Sequence, residues 1–103
     1  MHARVAIYRI TTGTADEIAR TADAEGGMLG IFRTQPGFDS YELVGTPDTI
    51  VSISRWDSAE AADAATAAAR SWVAEHLGRA VELQENYVGE LVLTSRAGDT
   101  LGL

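Results

Sequence analysis

The chain has no cysteine and no lysine, only two histidines and two prolines, and no long apolar run. Each absence removes a class of chemistry. Without cysteine there are no disulfides, no thiolate metal ligands and no thiol nucleophile. His2 and His76 are too few for a multi-histidine centre within one chain, so no metal is expected. No Gly-x-Gly-x-x-Gly and no phosphate loop occurs, and Gly26-Gly27 inside a helical run is no substitute. No stretch approaches the roughly 18 continuous apolar residues of a membrane span. Near the N-terminus, Arg4 is followed at once by strand-like alternation, without the apolar core of a signal peptide. A cytoplasmic protein with no membrane partner is expected. The formal net charge of −7 argues against nucleic acid as a partner, because phosphate binding needs a concentrated basic surface.

What is present is 103 residues, one domain's worth, over 1–95 with a flexible tail expected at 96–103. Arg4 to Ile10 alternates and is rich in Val, Ile and Tyr, which predicts a first strand. Thr14 or Asp16 caps a helix, with Glu17 three residues after Thr14 as in a capping box, and that helix carries Ile18, Ala22, Leu29 and Phe32. Gly26-Gly27 predicts a bend within it, and Pro36-Gly37 ends it. Strands follow over Phe38–Val44 and Thr49–Trp56, joined by the turn Gly45-Thr46-Pro47-Asp48. Asp57 or Ser58 caps a second, alanine-rich helix through Trp72 and Leu77, with Gly78 ending it or kinking it before a last turn at Arg79 to Leu83. A fourth strand is predicted from Tyr87 to Thr94. No internal repeat is evident.

Period-two alternation splits each strand into two faces, and both come out apolar. The first set is Val5, Ile7, Arg9; Ser40, Glu42, Val44; Val51, Ile53, Arg55; and Val88, Glu90, Val92. The second holds Ala6, Tyr8, Ile10; Tyr41, Leu43; Ile50, Ser52, Ser54, Trp56; and Tyr87, Gly89, Leu91, Leu93. Two helices cover one face. The other, left in water, would be a larger apolar patch than monomers usually show, so a homodimer through the first set is expected. Arg9, Glu42, Arg55 and Glu90 there either pair across strands or the interface, or sit at its rim and contribute little. The second set faces a helix stripe of Ala61, Ala65, Ala68, Trp72 and His76, where the alanines either let the helix pack close or leave room for a ligand.

The order of elements, with Gln35-Pro36-Gly37-Phe38-Asp39-Ser40-Tyr41-Glu42-Leu43, Ser52-Ile53-Ser54-Arg55-Trp56-Asp57-Ser58, Trp72-Val73-Ala74-Glu75-His76-Leu77 and the Gly89-Glu90 strand, resembles the antibiotic biosynthesis monooxygenase family of the dimeric α+β barrel superfamily. The resemblance spans about Arg4 to Thr94. It implies an α+β fold: a ferredoxin-like βαββαβ subunit with a four-stranded antiparallel sheet, two sheets forming a dimeric α+β barrel, and a pocket between each sheet and its own helices. The superfamily includes cofactor-independent oxygenases of polyketide quinol precursors, haem-degrading enzymes and many small proteins of unassigned role; the fold does not choose among them. The haem-degrading branch uses an Asn on strand one, a Trp in helix two and a His about three turns later. Those positions fall on Ala6, near Ala65, and, with a one-residue offset, on His76. Two of the three are lost, so haem degradation is not implied, while haem binding through His76 stays open.

The resemblance therefore implies a small homodimeric monooxygenase without flavin, nicotinamide or other cofactor, acting on an aromatic, polyketide-like substrate. A non-catalytic dimer that binds a small apolar ligand or haem is the alternative, and a structural dimer whose pocket residues are all core is the third reading. His76 is the candidate base, or else a helix C-terminal histidine held by the dipole. Tyr8 is the second catalytic candidate. Phe32, Tyr41, Ser54, Trp56, Ala65 and Trp72 are expected around the substrate, or else fill a core as aromatics commonly do. Ser52 and Ser54 lack the Gly-x-Ser-x-Gly setting of a nucleophile.

Overall fold

A computed structural model describes residues 1–97. Its elements are β1 (His2–Ile10), α1 (Ala15–Asp23), α2 (Met28–Thr34), β2 (Phe38–Gly45), β3 (Thr49–Trp56), α3 (Ala59–His76) and β4 (Val81–Glu90). The strands form one antiparallel sheet in the order β2-β3-β1-β4, with all three helices packed on one side. This is the expected ferredoxin-like α+β fold, with its first helix divided in two.

The local reasons are visible in the caps. Thr14 accepts the Glu17 N–H, with Asp16 and Glu17 in the first turn of α1 against the positive end of the dipole. Ser58, not Asp57, caps α3 by accepting the Ala61 N–H. Gly37 adopts φ +84°, a region that disfavours side chains, and a Cβ there would collide with the Asp57 carboxylate. That tight crossing lets Asp57 N–H donate to Gly37 O at 2.9 Å, joining the start of β2 to the end of β3.

The predicted bend at Gly26-Gly27 is a complete break. Ala24 closes α1 with extended backbone, Gly26 takes φ +76°, and Gly27 becomes the N-cap of α2. A Cβ on Gly27 would strike the Ala22 and Ala24 carbonyls, so the chain turns here only because that residue is glycine. Past α3 the structure departs from expectation. α3 ends at His76, next to the Gly78 stop that is one of the two expectations, and a single hydrogen-bonded turn from Leu77 to Val81 leads into β4, which begins at Val81, six residues before the predicted start, and ends at Glu90.

The faces of β4 are also corrected. Val5 pairs with Tyr87, Ala6 with Asn86 and Arg4 with Val88, but the register slips between Ile7 and Tyr8, where Leu83 stands opposite Tyr8. One extra residue at Gln84 inverts the alternation, as a bulge does. Val81, Leu83, Asn86, Val88 and Glu90 thus share the face of Arg4, Ala6 and Tyr8. Val88 and Glu90, expected on the open face, lie on the helix side, while Tyr87 and Gly89 lie on the open one. Val92 lies beyond β4, 91% exposed. On the other strands the split stands: Val5, Ile7, Arg9, Val51, Ile53 and Arg55 are on the open face. Arg9 pairs at 2.7 Å with Glu82, not with Glu42 or Glu90.

Ala6, Tyr8, Ile18, Phe32, Ile50, Trp56, Ala62, Ala65, Ala69 and Trp72 form much of the core. Phe32 is its aromatic centre, edge-on to Trp56 at 5.2 Å and to Tyr41 at 5.1 Å. The tail expected at 96–103 falls outside the described residues from position 98 onward. No described helix is long and apolar enough to cross a membrane.

Candidate functional site

A void of about 30 Å³ lies between the sheet and the helices. Counted with the space open to solvent at its mouth, it reaches about 390 Å³. The smaller figure decides what the closed form admits, which is one or two water molecules. Its floor is the helix-facing row of the sheet, with Arg4 and Tyr8 from β1, Tyr41 and Leu43 from β2, and Ile50 and Ser52 from β3. Its roof is Ile18 and Ala22 of α1, Met28 of α2, and Ala69, Trp72 and Val73 of α3. Trp72 Nε1 donates to Gly26 O at 3.0 Å, tying α3 to the corner between α1 and α2.

The alternation of β1 builds the polar part of the floor. Arg4, Ala6 and Tyr8 are successive residues of one face, and the small Ala6 leaves a gap between two long side chains. Arg4 fills it. The guanidinium runs along the strand, donating from Nη2 to Tyr8 Oη at 3.2 Å and from Nε to Asn86 Oδ1 at 2.9 Å. Arg4 is only 1% exposed. Both acceptors are neutral, and no carboxylate stands within 4.0 Å among the described residues. Buried charge is normally paired, because leaving water is expensive for an ion.

Tyr8 accepts from Arg4, which leaves its own hydroxyl hydrogen for another partner. Burial pushes the Tyr41 phenol up to about 12, against a smaller opposing effect of the Ser52 hydroxyl beside it. It stays protonated at neutral pH, a hydrogen-bond donor and not a base. The lining contains no carboxylate and no imidazole. The cavity can therefore donate hydrogen bonds and present positive charge, but it cannot take up a proton.

Of the residues expected here, Tyr8, Tyr41 and Trp72 line the void. Phe32, Ser54, Trp56 and Ala65 do not; each is fully buried in the packed core, with Trp56 Nε1 donating to Ser54 Oγ at 2.9 Å. His76 stands outside, its side chain 43% exposed and its ring 5.0 Å from that of Trp72. Ser52 lies on the helix-facing row where alternation puts it, whereas Arg4 and Asn86 are not among the expected site residues. Arg4 was legible as a charge continuing the apolar row of Ala6, Tyr8 and Ile10. Among the described residues no cluster of His, Cys, Asp and Glu could hold a metal ion.

The sequence profile described as antibiotic biosynthesis monooxygenase matches residues 1–85. Among solved structures, the fold matches SnoaB, a cofactor-independent oxygenase from Streptomyces nogalater, with a TM-score of 0.67 at 18% identity, over 90% of this chain and 95% of that one. It also matches a protein assigned to the antibiotic biosynthesis monooxygenases from Chloroflexus aurantiacus, with a TM-score of 0.63 at 21% identity over 94% and 98% of the two chains. A third match, with the same assignment and from Bacillus cereus, has a TM-score of 0.58 at 19% identity, over 96% and 98%. Identities this low speak for the fold alone. No curated protein sequence matches the chain. The profile match covers most of the chain, and the protein belongs to the antibiotic biosynthesis monooxygenase family.

Proposed function

We propose that the protein is a homodimeric, cofactor-independent monooxygenase acting on an aromatic, polyketide-like phenol in the cavity beneath α1, α2 and α3. The observation that carries this reading is an apolar void with a few convergent polar groups, the usual composition of a small-molecule site. Trp72 and Tyr41 offer ring faces for a flat substrate. Tyr8 offers a donor to its oxygen. In the reaction a ring CH2 beside a phenol becomes C=O. One atom of O2 enters the product, the other leaves as water with the two hydrogens, and the electron-rich substrate supplies all the electrons. The enclosure keeps bulk water from the reduced oxygen intermediate.

Entry needs more room than the closed void provides. A groove of about 170 Å³ beside α1 shares Ala22, Tyr41 and Leu43 with it. Movement of those shared residues would join the two. The test is oxygen uptake with a hydroxylated anthrone. Uptake above the uncatalysed rate, at one O2 per product, is expected. Tyr8→Phe should lower it about tenfold, the worth of one hydrogen bond to a developing charge. His76→Ala should leave it at the parent level, because the imidazole stands outside the cavity. Uptake at the uncatalysed rate in the parent protein refutes the oxygenase and leaves the alternative of a dimer that only binds its ligand.

A further inference from the structure

We propose that Arg4 is the anion-binding residue of this cavity, and that the ligand enters already ionised, as a flat apolar molecule bearing one negative oxygen, a phenolate or an aromatic carboxylate. The proposal rests on the reading of this cavity as the ligand site, but not on any turnover there.

Three observations carry it. First, the guanidinium is buried to 1% exposure yet bonds only neutral acceptors, the Asn86 amide oxygen and the Tyr8 hydroxyl. An arginine has five N–H donors in a rigid fork. Two hydrogen bonds therefore leave donors over, on a residue that lines the void. Secondly, nothing else in the lining can neutralise that charge, since carboxylates are absent from it. Stability alone does not explain such a cation: an apolar side chain of similar volume would avoid the desolvation. A negative ligand oxygen would supply the missing counter-charge, and Tyr8 beside it would donate to the same atom. Thirdly, the cavity offers no proton acceptor. The lining lacks imidazole as well as carboxylate, and Tyr41 is held protonated by burial. A site that cannot remove a proton but holds a cation with no counter-charge is built for an oxygen that has already lost its own.

This also assigns the specificity. An aromatic alcohol and the corresponding carboxylate differ little in shape, so discrimination between them must come from charge. The remainder of the wall, Ile18, Met28 and Trp72 among it, selects for an apolar ring.

The experiment is equilibrium binding to the full chain, by calorimetry, of 2-naphthoate and 2-naphthalenemethanol, with 4-nitrophenolate as a spectroscopic arm. The parent should bind naphthoate at least about tenfold more tightly than the alcohol, and Arg4→Met should abolish that preference. Bound 4-nitrophenol should remain in its yellow ionised form below the pH at which the free dye is half protonated, and Arg4→Met should lose this. Naphthoate binding without ionised nitrophenol would assign the site to carboxylates, and the reverse to phenolates; either supports Arg4 as the anion anchor. Arg4→Met should melt at or above the parent temperature, which separates loss of binding from loss of fold. Should it fail to fold, Arg4→Gln takes its place. Equal affinity for acid and alcohol, or an acid preference that survives in the folded variant, overturns the proposal and assigns the guanidinium to ordered water. If anion binding depends on Arg4 while oxygen uptake is absent, the inference stands and the oxygenase reading falls.

Discussion

At Tyr41 the same burial that makes the phenol a donor also makes it a contributor to stability with a defined pH window. Its folded value is about 12 against an ordinary value of 10.0, so folding favours the neutral form. The contribution is fully present below pH 10 and is lost as pH rises through about 12. Two units correspond to roughly 2 kcal/mol after allowance for partial exposure. Tyr41→Phe, which keeps the ring against Phe32, should lack that alkaline limb: urea unfolding at about pH 9 and pH 11.5 should lose less stability in the variant than in the parent. An equal loss would mean that Tyr41 ionises freely. Tyr8 and Tyr41 could be placed from alternation alone because the period of two fixes a side for every residue. The partners of Arg4 could not. Asn86 is 82 positions away, and its position depends on a bulge that no local pattern announces. His76 illustrates the converse. Its spacing from Trp72 put it on the expected helix face, but α3 ends there, and the last turn reaches past the cavity into solvent.

Among the elements, α1 and α2 show what two adjacent glycines do when tertiary structure adds its weight. Propensity predicts only a weakened helix, since one glycine costs up to about 1 kcal/mol relative to alanine. The complete break follows from the sheet beneath, where Ile18 and Ala22 of α1 and Met28 and Phe32 of α2 are all buried. With the break, the corner rests on few bonds: Gly27 N–H to Ala24 O at 2.8 Å, and the Trp72 indole to Gly26 O at 3.0 Å. Trp72→Phe keeps an aromatic ring over the void and removes the second bond. We expect a loss of about 1–2 kcal/mol in unfolding free energy, with faster amide exchange at Gly27 while the amides of β1 and β3 stay protected. Uniformly faster exchange would show that the corner does not open by itself. The start of strand β4 is not legible in the sequence for a related reason. Its inner half, Val81 to Glu85, is mostly exposed at the sheet edge and carries two glutamates and a glutamine, so it lacks the apolar alternation by which strands are recognised.

On the scale of the whole molecule, the helices account for one side of the sheet and leave the other uncovered. Val5, Ile7, Val51 and Ile53 stand at its middle, on the two central strands, while the charges are on the edge strands and strand ends, with Glu42 beside Ile53, Glu85 beside Ile7 and Arg9 bound to Glu82. Such a surface calls for a cover, and in the dimer proposed above a second copy of the chain would supply it by matching the same row against itself, as a twofold interface requires. In sedimentation the protein should run at twice its 11.0 kDa chain mass. Ile53→Glu, which puts an unpaired charge at the centre of the contact, should run at the chain mass with its helical circular dichroism retained. A parent that sediments as a monomer at micromolar concentration would sink the barrel. The two faces further imply that assembly and ligand binding separate. The cavity lies among the helices, on the side of the sheet away from the open face. A monomeric Ile53→Glu should therefore keep its preference for naphthoate over the alcohol, whereas Arg4→Met should lose that preference and remain a dimer. If monomerisation also abolishes the preference, the partner subunit must hold the helices over the sheet, and the site is a property of the dimer.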